Sequence, residues 1–110
     1  MTMSIQRGAL VLAAASLLAM PLVALADKHV DEAITHAKEA VDHGKQGHAD
    51  AVAKHAEGAL KHAQAAEVKS PHLDEGIKEL KAAVEHGKAG HADVATKHAE
   101  GAVMHLSEVK

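Results

Sequence analysis

The segment AVDHGKQGHADAVAKHAEGALKH, Ala40 to His62, returns 43 residues later as AVEHGKAGHADVATKHAEGAVMH, Ala83 to His105, with 16 of 23 positions identical. A match of that extent is an internal duplication, so the chain must fold as two copies of one supersecondary unit. Both copies are rich in Ala, Lys and Glu, which favour helix, and no proline interrupts them. Apolar residues recur at steps of three and four: Val30, Ala33, Ile34, Ala37 and Val41, then Val52, Ala56, Ala59, Leu60 and Ala63. Leu73, Ile77, Leu80, Ala83 and Val84, then Ala95, Ala99, Ala102, Val103 and Leu106, repeat the stripe. Each is one face of an amphipathic helix. The pattern predicts helices near 28–43, 48–67, 71–86 and 91–108. Gly44 to Gly47 and Gly87 to Gly90 supply short two-glycine turns that suit antiparallel pairs. Ser70 followed by Pro71 reads as a cap and a first-turn proline. Two hairpins that each expose an apolar stripe bury it against one another. The expected fold is all-α, an antiparallel four-helix bundle of duplicated hairpins at 27–67 and 70–110.

The first 26 residues stand outside that plan. Arg7 precedes an uncharged apolar run from Ala9 to Met20, then Pro21 and the small-x-small end Ala24-Leu25-Ala26. That order is the pattern of a secretory signal peptide, with cleavage expected after Ala26. The run is shorter than the roughly 20 apolar residues of a membrane span. Any helix over residues 8–20 would lie apart from the bundle.

The remaining chain, Asp27 to Lys110, has 84 residues, enough for one small domain. It carries eleven Lys against fifteen Asp and Glu, a charge of −4 with neutral imidazoles. With no basic face and no Phe, Tyr or Trp, it lacks both the charge and the stacking groups that bind nucleic acid. The absence of cysteine excludes disulfides, thiolate metal sites and a lipoprotein anchor. A core built only from Ala, Val, Leu and Ile is thin, so a domain of this size is expected to be marginally stable by itself.

All eleven histidines lie after Ala26, and within each helix they recur at seven or fourteen residues. With Val30, Ala49, Leu73 and Ala92 at heptad position a, every histidine falls at position g, beside the apolar stripe. His29, His36, His43, His48, His55, His62, His72, His86, His91, His98 and His105 occupy eleven g positions and Glu79 the twelfth. Seven residues of helix rise about 10.5 Å, too far for two imidazoles to share one ion at metal–nitrogen distances of about 2 Å. Ligands must therefore meet between helices. In antiparallel hairpins the g positions pair as His43 with His48, His36 with His55 and His29 with His62. The second hairpin pairs His86 with His91, Glu79 with His98 and His72 with His105. Glu32, Glu39, Glu75 and Glu108 each follow a histidine by three positions, where they can complete a coordination sphere or orient an imidazole.

Imidazole and carboxylate without sulfur, apart from Met104, favour Cu(II), Zn(II) or Ni(II) over Cu(I), and Cu(II) binds tightest at a given site. Cleavage after Ala26 also places His29 third behind a free amine. Amine, two deprotonated amides and imidazole can then hold Cu(II) or Ni(II) in a square plane, in competition with the His29–His62 pair. A single flank histidine is ordinarily a solvated polar residue. Eleven at one heptad position call for more, because Lys, Glu or Gln would serve solubility equally well. The rival reading is a pH-responsive helical interaction protein without a metal role, its imidazoles charging between about pH 5 and 8. Ser70, Ser107, Thr35 and Thr96 have no evident triad setting, so the chain does not read as an enzyme.

The heptad histidines, the HGKQGH and HGKAGH turns and the HAEGAL and HAEGAV repeats resemble the small metal-binding protein family of ammonia-oxidising bacteria, His-rich helical bundles of the periplasm. The likeness extends over all of Asp27 to Lys110. It implies a periplasmic location, broad divalent binding with Cu(II) prominent, and a role in metal buffering or tolerance. Glu79 departs from the strict pattern. The expected protein is a monomer whose partners are metal ions, Cu(II) with Ni(II) and Zn(II), and it touches no membrane once the leader is removed.

Overall fold

The computed structural model describes the backbone of residues 21–109 and the side chains of residues 28–109. Four helices follow one another: α1 (Pro21–Lys45), α2 (Ala49–Ala65), α3 (Pro71–Lys88) and α4 (Ala92–Ser107). Each packs on its two neighbours in a ring, α1 on α2 and α4, and α3 on α2 and α4. The fold is the expected four-helix bundle. α1 begins seven residues earlier than the periodicity from Lys28 suggested. Pro21 is compatible with a first helical turn, and Leu22 to Ala26 contains no helix-breaking residue. The expected helix over residues 8–20 lies outside the described residues.

Heptad positions a and d, joined by Val84 at e, form the core. Ala33, Ala37, Ala59, Ala63, Leu73, Leu80, Ala102 and Leu106 make one cluster, toward the α2–α3 connection. Ala40, Val52, Ala56, Ala83, Val84, Ala95 and Ala99 make the other, toward the two hairpin turns. Leu80, Leu106 and Val52 are the largest fully buried side chains, so most of the interior is alanine. Small residues let the helices approach closely at the turn end. Gly44 lies directly against the Thr96 side chain, and a Cβ on Gly87 would stand 2.9 Å from the Ala49 carbonyl oxygen. Thr96 is the one buried polar residue among those described, and its hydroxyl donates to the Ala92 carbonyl at 2.6 Å.

The turns differ in detail from the expected two-glycine loops. Gly44 and Gly87 remain helical, and only Gly47 (φ 83°) and Gly90 (φ 85°) enter the left-handed region. The Gly47 N–H donates to Gly44 O at 2.9 Å and the His48 N–H to His43 O at 3.0 Å; Gly90 to Gly87 (3.1 Å) and His91 to His86 (2.9 Å) repeat the pair. This is the Schellman arrangement, which satisfies the last carbonyls of a helix. Gly47→Ala should cost about 1–2 kcal/mol, because a Cβ is strained at that φ. Urea denaturation would show it as a lower midpoint at unchanged slope; an unaltered midpoint would mean the turn relaxes freely. The Ser70 hydroxyl accepts the His72 N–H at 3.1 Å ahead of Pro71, as the cap requires.

Candidate metal centre

The Schellman turns place the innermost histidines. His43 and His48, two residues before the last residue of α1 and three beyond it, are the positions whose side chains usually meet across this motif. Their ring centroids are 6.0 Å apart, and His86 and His91 match them at 6.0 Å. From that fixed end the heptad carries the register outward. His36 faces His55 at 6.3 Å and His29 faces His62 at 6.0 Å across α1 and α2. His72 faces His105 at 6.2 Å across α3 and α4. In the sixth layer Glu79 Oε1 lies 2.8 Å from His98 Nδ1. All twelve g residues thus meet across their hairpins.

The carboxylates reach across the hairpins rather than serving only the histidine three residues before them. Glu32 lies 3.2 Å from Nδ1 of His62. Glu39 lies 3.3 Å from Nδ1 of His55 and 3.5 Å from Nδ1 of His36. The Glu39 carboxylate thus stands near both rings without bonding His36 Nδ1, which is buried without a hydrogen-bond partner. Glu108 lies 3.1 Å from Nδ1 of His72. Glu75 is turned away, 3.6 Å from Lys78, and joins no histidine in this arrangement.

Two layers of the first hairpin therefore gather three ligand groups each: His29, Glu32 and His62, and His36, Glu39 and His55, with their nearest ligand atoms within 4.8 Å of one another. A tetrahedral ion with bonds near 2 Å needs its ligands roughly 3.3 Å apart, an adjustment within reach of side-chain rotation. The middle layer of the second hairpin is poorer. The 43-residue offset aligns Glu79 with His36 and Ala82 with Glu39, so a two-imidazole, one-carboxylate set becomes one imidazole and one carboxylate.

The mid-helix glycines belong to these middle layers. A Cβ on Gly58 would stand 3.3 Å from His36 Nδ1, and one on Gly101 3.0 Å from Glu79 Oε2. Glycine in a helix costs about 1 kcal/mol relative to alanine. Here it gives the facing side chain room to lie against the neighbouring helix. The histidine and carboxylate side chains in these contacts are 31–47% and 30–62% exposed, so the groups stand at the protein's edge, open to an ion from solvent.

No helix among the described residues is long and apolar enough to cross a membrane. Among curated proteins no match is found. The family model for "Small metal-binding protein" matches residues 5–109, nearly the whole chain. With facing imidazoles and carboxylates that could hold a metal, on an all-helical bundle, the chain belongs to the small metal-binding protein family.

Proposed function

We propose that the protein binds and buffers divalent transition metals in the periplasm, chiefly Cu(II) and also Ni(II) and Zn(II). The ligands in this reading are His29, His36, His43, His48, His55, His62, His72, Glu79, His86, His91, His98 and His105. The supporting observation is the facing of imidazoles across both hairpins at 6.0–6.3 Å. An ion about 2 Å from two imidazole nitrogens places the ring centroids roughly 4.5–6.3 Å apart. The nitrogen and carboxylate donors suit these ions and disfavour Cu(I), and Met104, the one sulfur among the described residues, stands 68% exposed on α4. The family supports binding rather than catalysis. Titration with each metal at neutral pH under native mass detection tests the proposal. Several ions per chain are expected, with Cu(II) retained at the lowest free concentration. A chain that takes up no metal would leave the pH-responsive reading in its place.

The two hairpins should differ. Carboxylate is a harder ligand than imidazole, so the Glu79–His98 layer should hold Cu(II) more weakly than His36–His55. In a calorimetric titration Glu79→His should add a tighter phase assignable to the second hairpin, and a curve superimposable on the parent's would remove Glu79 from any site. The leader enters here as well. Secreted protein is expected to begin at Asp27, and Edman sequencing that finds another start would abolish the amine-terminal Cu(II) site at His29.

A further inference from the structure

Facing pairs are not the only close approaches between imidazoles. His36 also reaches His62, with centroids 5.3 Å apart and rings 12° from parallel. His43 reaches His55 at 4.9 Å and 10°. The first hairpin therefore carries one unbroken row: His29, His62, His36, His55, His43, His48. Successive centroids are 6.0, 5.3, 6.3, 4.9 and 6.0 Å apart. Every step lies in the range that two imidazoles on one ion require, roughly 4.5–6.3 Å. Each ring inside the row thus has two imidazole neighbours within that range.

The same nitrogen is available along most of that row. Glu32 and Glu39 lie 3.2 and 3.3 Å from Nδ1 of His62 and His55, and Nδ1 of His29, His36 and His43 is buried without a hydrogen-bond partner. A ring whose Nδ1 faces a carboxylate or is buried offers Nε2 to an ion. The second hairpin lacks this continuity. His98, His86 and His91 follow one another at 5.3 and 6.0 Å, and His72 and His105 stand at 6.2 Å. Between these groups stands Glu79, bonded to His98.

We propose that the six histidines of the first hairpin form a track of overlapping sites, along which a bound ion moves by exchanging one imidazole at a time, and that Glu79 divides the second hairpin's row into two separate stations. The inference rests on the reading of the histidines as ligands. In each step an incoming neutral Nε2 bonds to the ion as the trailing one leaves, and no proton moves. Along a single helix the next histidine is about 10.5 Å away and the ion would have to be released. Alternating between α1 and α2 halves the step.

Zn(II) at half an equivalent, followed by imidazole ¹H–¹⁵N exchange spectroscopy on the full chain, tests the track. Exchange among the six histidines should be at least tenfold faster than loss of Zn(II) to an external chelator. His36→Glu, which copies Glu79 into the first row, should slow exchange between His29–His62 and His43–His48 to the rate of loss. Glu79→His should create fast exchange between His72–His105 and His86–His91, which guards against a folding defect in the first variant. End-to-end exchange no faster than loss in the parent, with clear Zn(II) shifts, would overturn the track and leave fixed sites standing. Histidine signals unmoved by Zn(II) would overturn both the track and the reading beneath it.

Discussion

Cu(II) should raise the thermal midpoint by roughly 10–20 °C for each site filled at pH 7.5, and by far less at pH 5. The core explains the size of the effect. Its largest fully buried side chains are Leu80, Leu106 and Val52, and the cluster beside the turns is built mainly of alanine and valine. Such an interior removes little apolar area from water, so the apo bundle has little stability in reserve. Facing imidazoles come from different helices, and an ion held between them favours the closed hairpin over the unfolded chain. At free metal one hundred times the dissociation constant, one site adds about 2.7 kcal/mol, and a domain of this size gains about 4–8 °C per kcal/mol. Binding to the unfolded His-rich chain reduces the gain. The pH dependence follows from competition. Ligation needs neutral imidazole and releases protons, so the stabilisation is present at pH 7.5 and is lost as the solution is acidified. Circular dichroism melts at the two pH values measure it. A midpoint indifferent to bound Cu(II) at pH 7.5 would mean that the ions sit on single helices and bridge nothing.

Leu80→Ala should have the largest effect of any core substitution, and metal should reverse much of it. Leu80 is fully buried in the larger cluster, five of whose eight members are alanine. Alanine neighbours cannot swing in to fill the void, so the cost should fall within the usual 2–5 kcal/mol for such truncations. That lowers the midpoint by roughly 10–30 °C, enough to leave much of the apo variant unfolded at room temperature. Saturating Cu(II) should restore the helical signal, because the g positions stay intact and each filled site adds back a comparable free energy. An apo variant that melts within a few degrees of the parent would show that the alanine-rich interior contributes less than its burial suggests.

The helix number, the hairpin register and the Ser70 cap were readable because each is a one-dimensional pattern: steps of three and four, a heptad at g, a hydroxyl before proline. The facing of His36 with His55 followed from that register alone. The diagonal approach of His36 to His62 did not. It depends on the axial stagger of α1 against α2, which the turn at Gly47 sets in three dimensions. The partner of Glu32 was equally hidden, since spacing puts it near His29 on its own helix while the side chain reaches His62 on α2. Gly58 and Gly101 did leave a signal, glycine at one heptad position in the middle of both repeats, but nothing in the chain said that His36 and Glu79 lie over them. α1 starts at Pro21, ahead of the expected helix, because the apolar steps that mark a buried face begin only at Val30 whereas the backbone needs no buried face to be helical.

The central claim is that imidazoles from two helices share each ion. Zn K-edge X-ray absorption on protein loaded with one Zn(II) per chain at pH 7.5 tests it most directly, since Zn(II) has no preference for the square-planar geometry of an amine-terminal site. The expected spectrum shows two imidazoles per ion at about 2.0 Å, with oxygen ligands completing the sphere. A single imidazole per ion, with water supplying the rest, would contradict the claim.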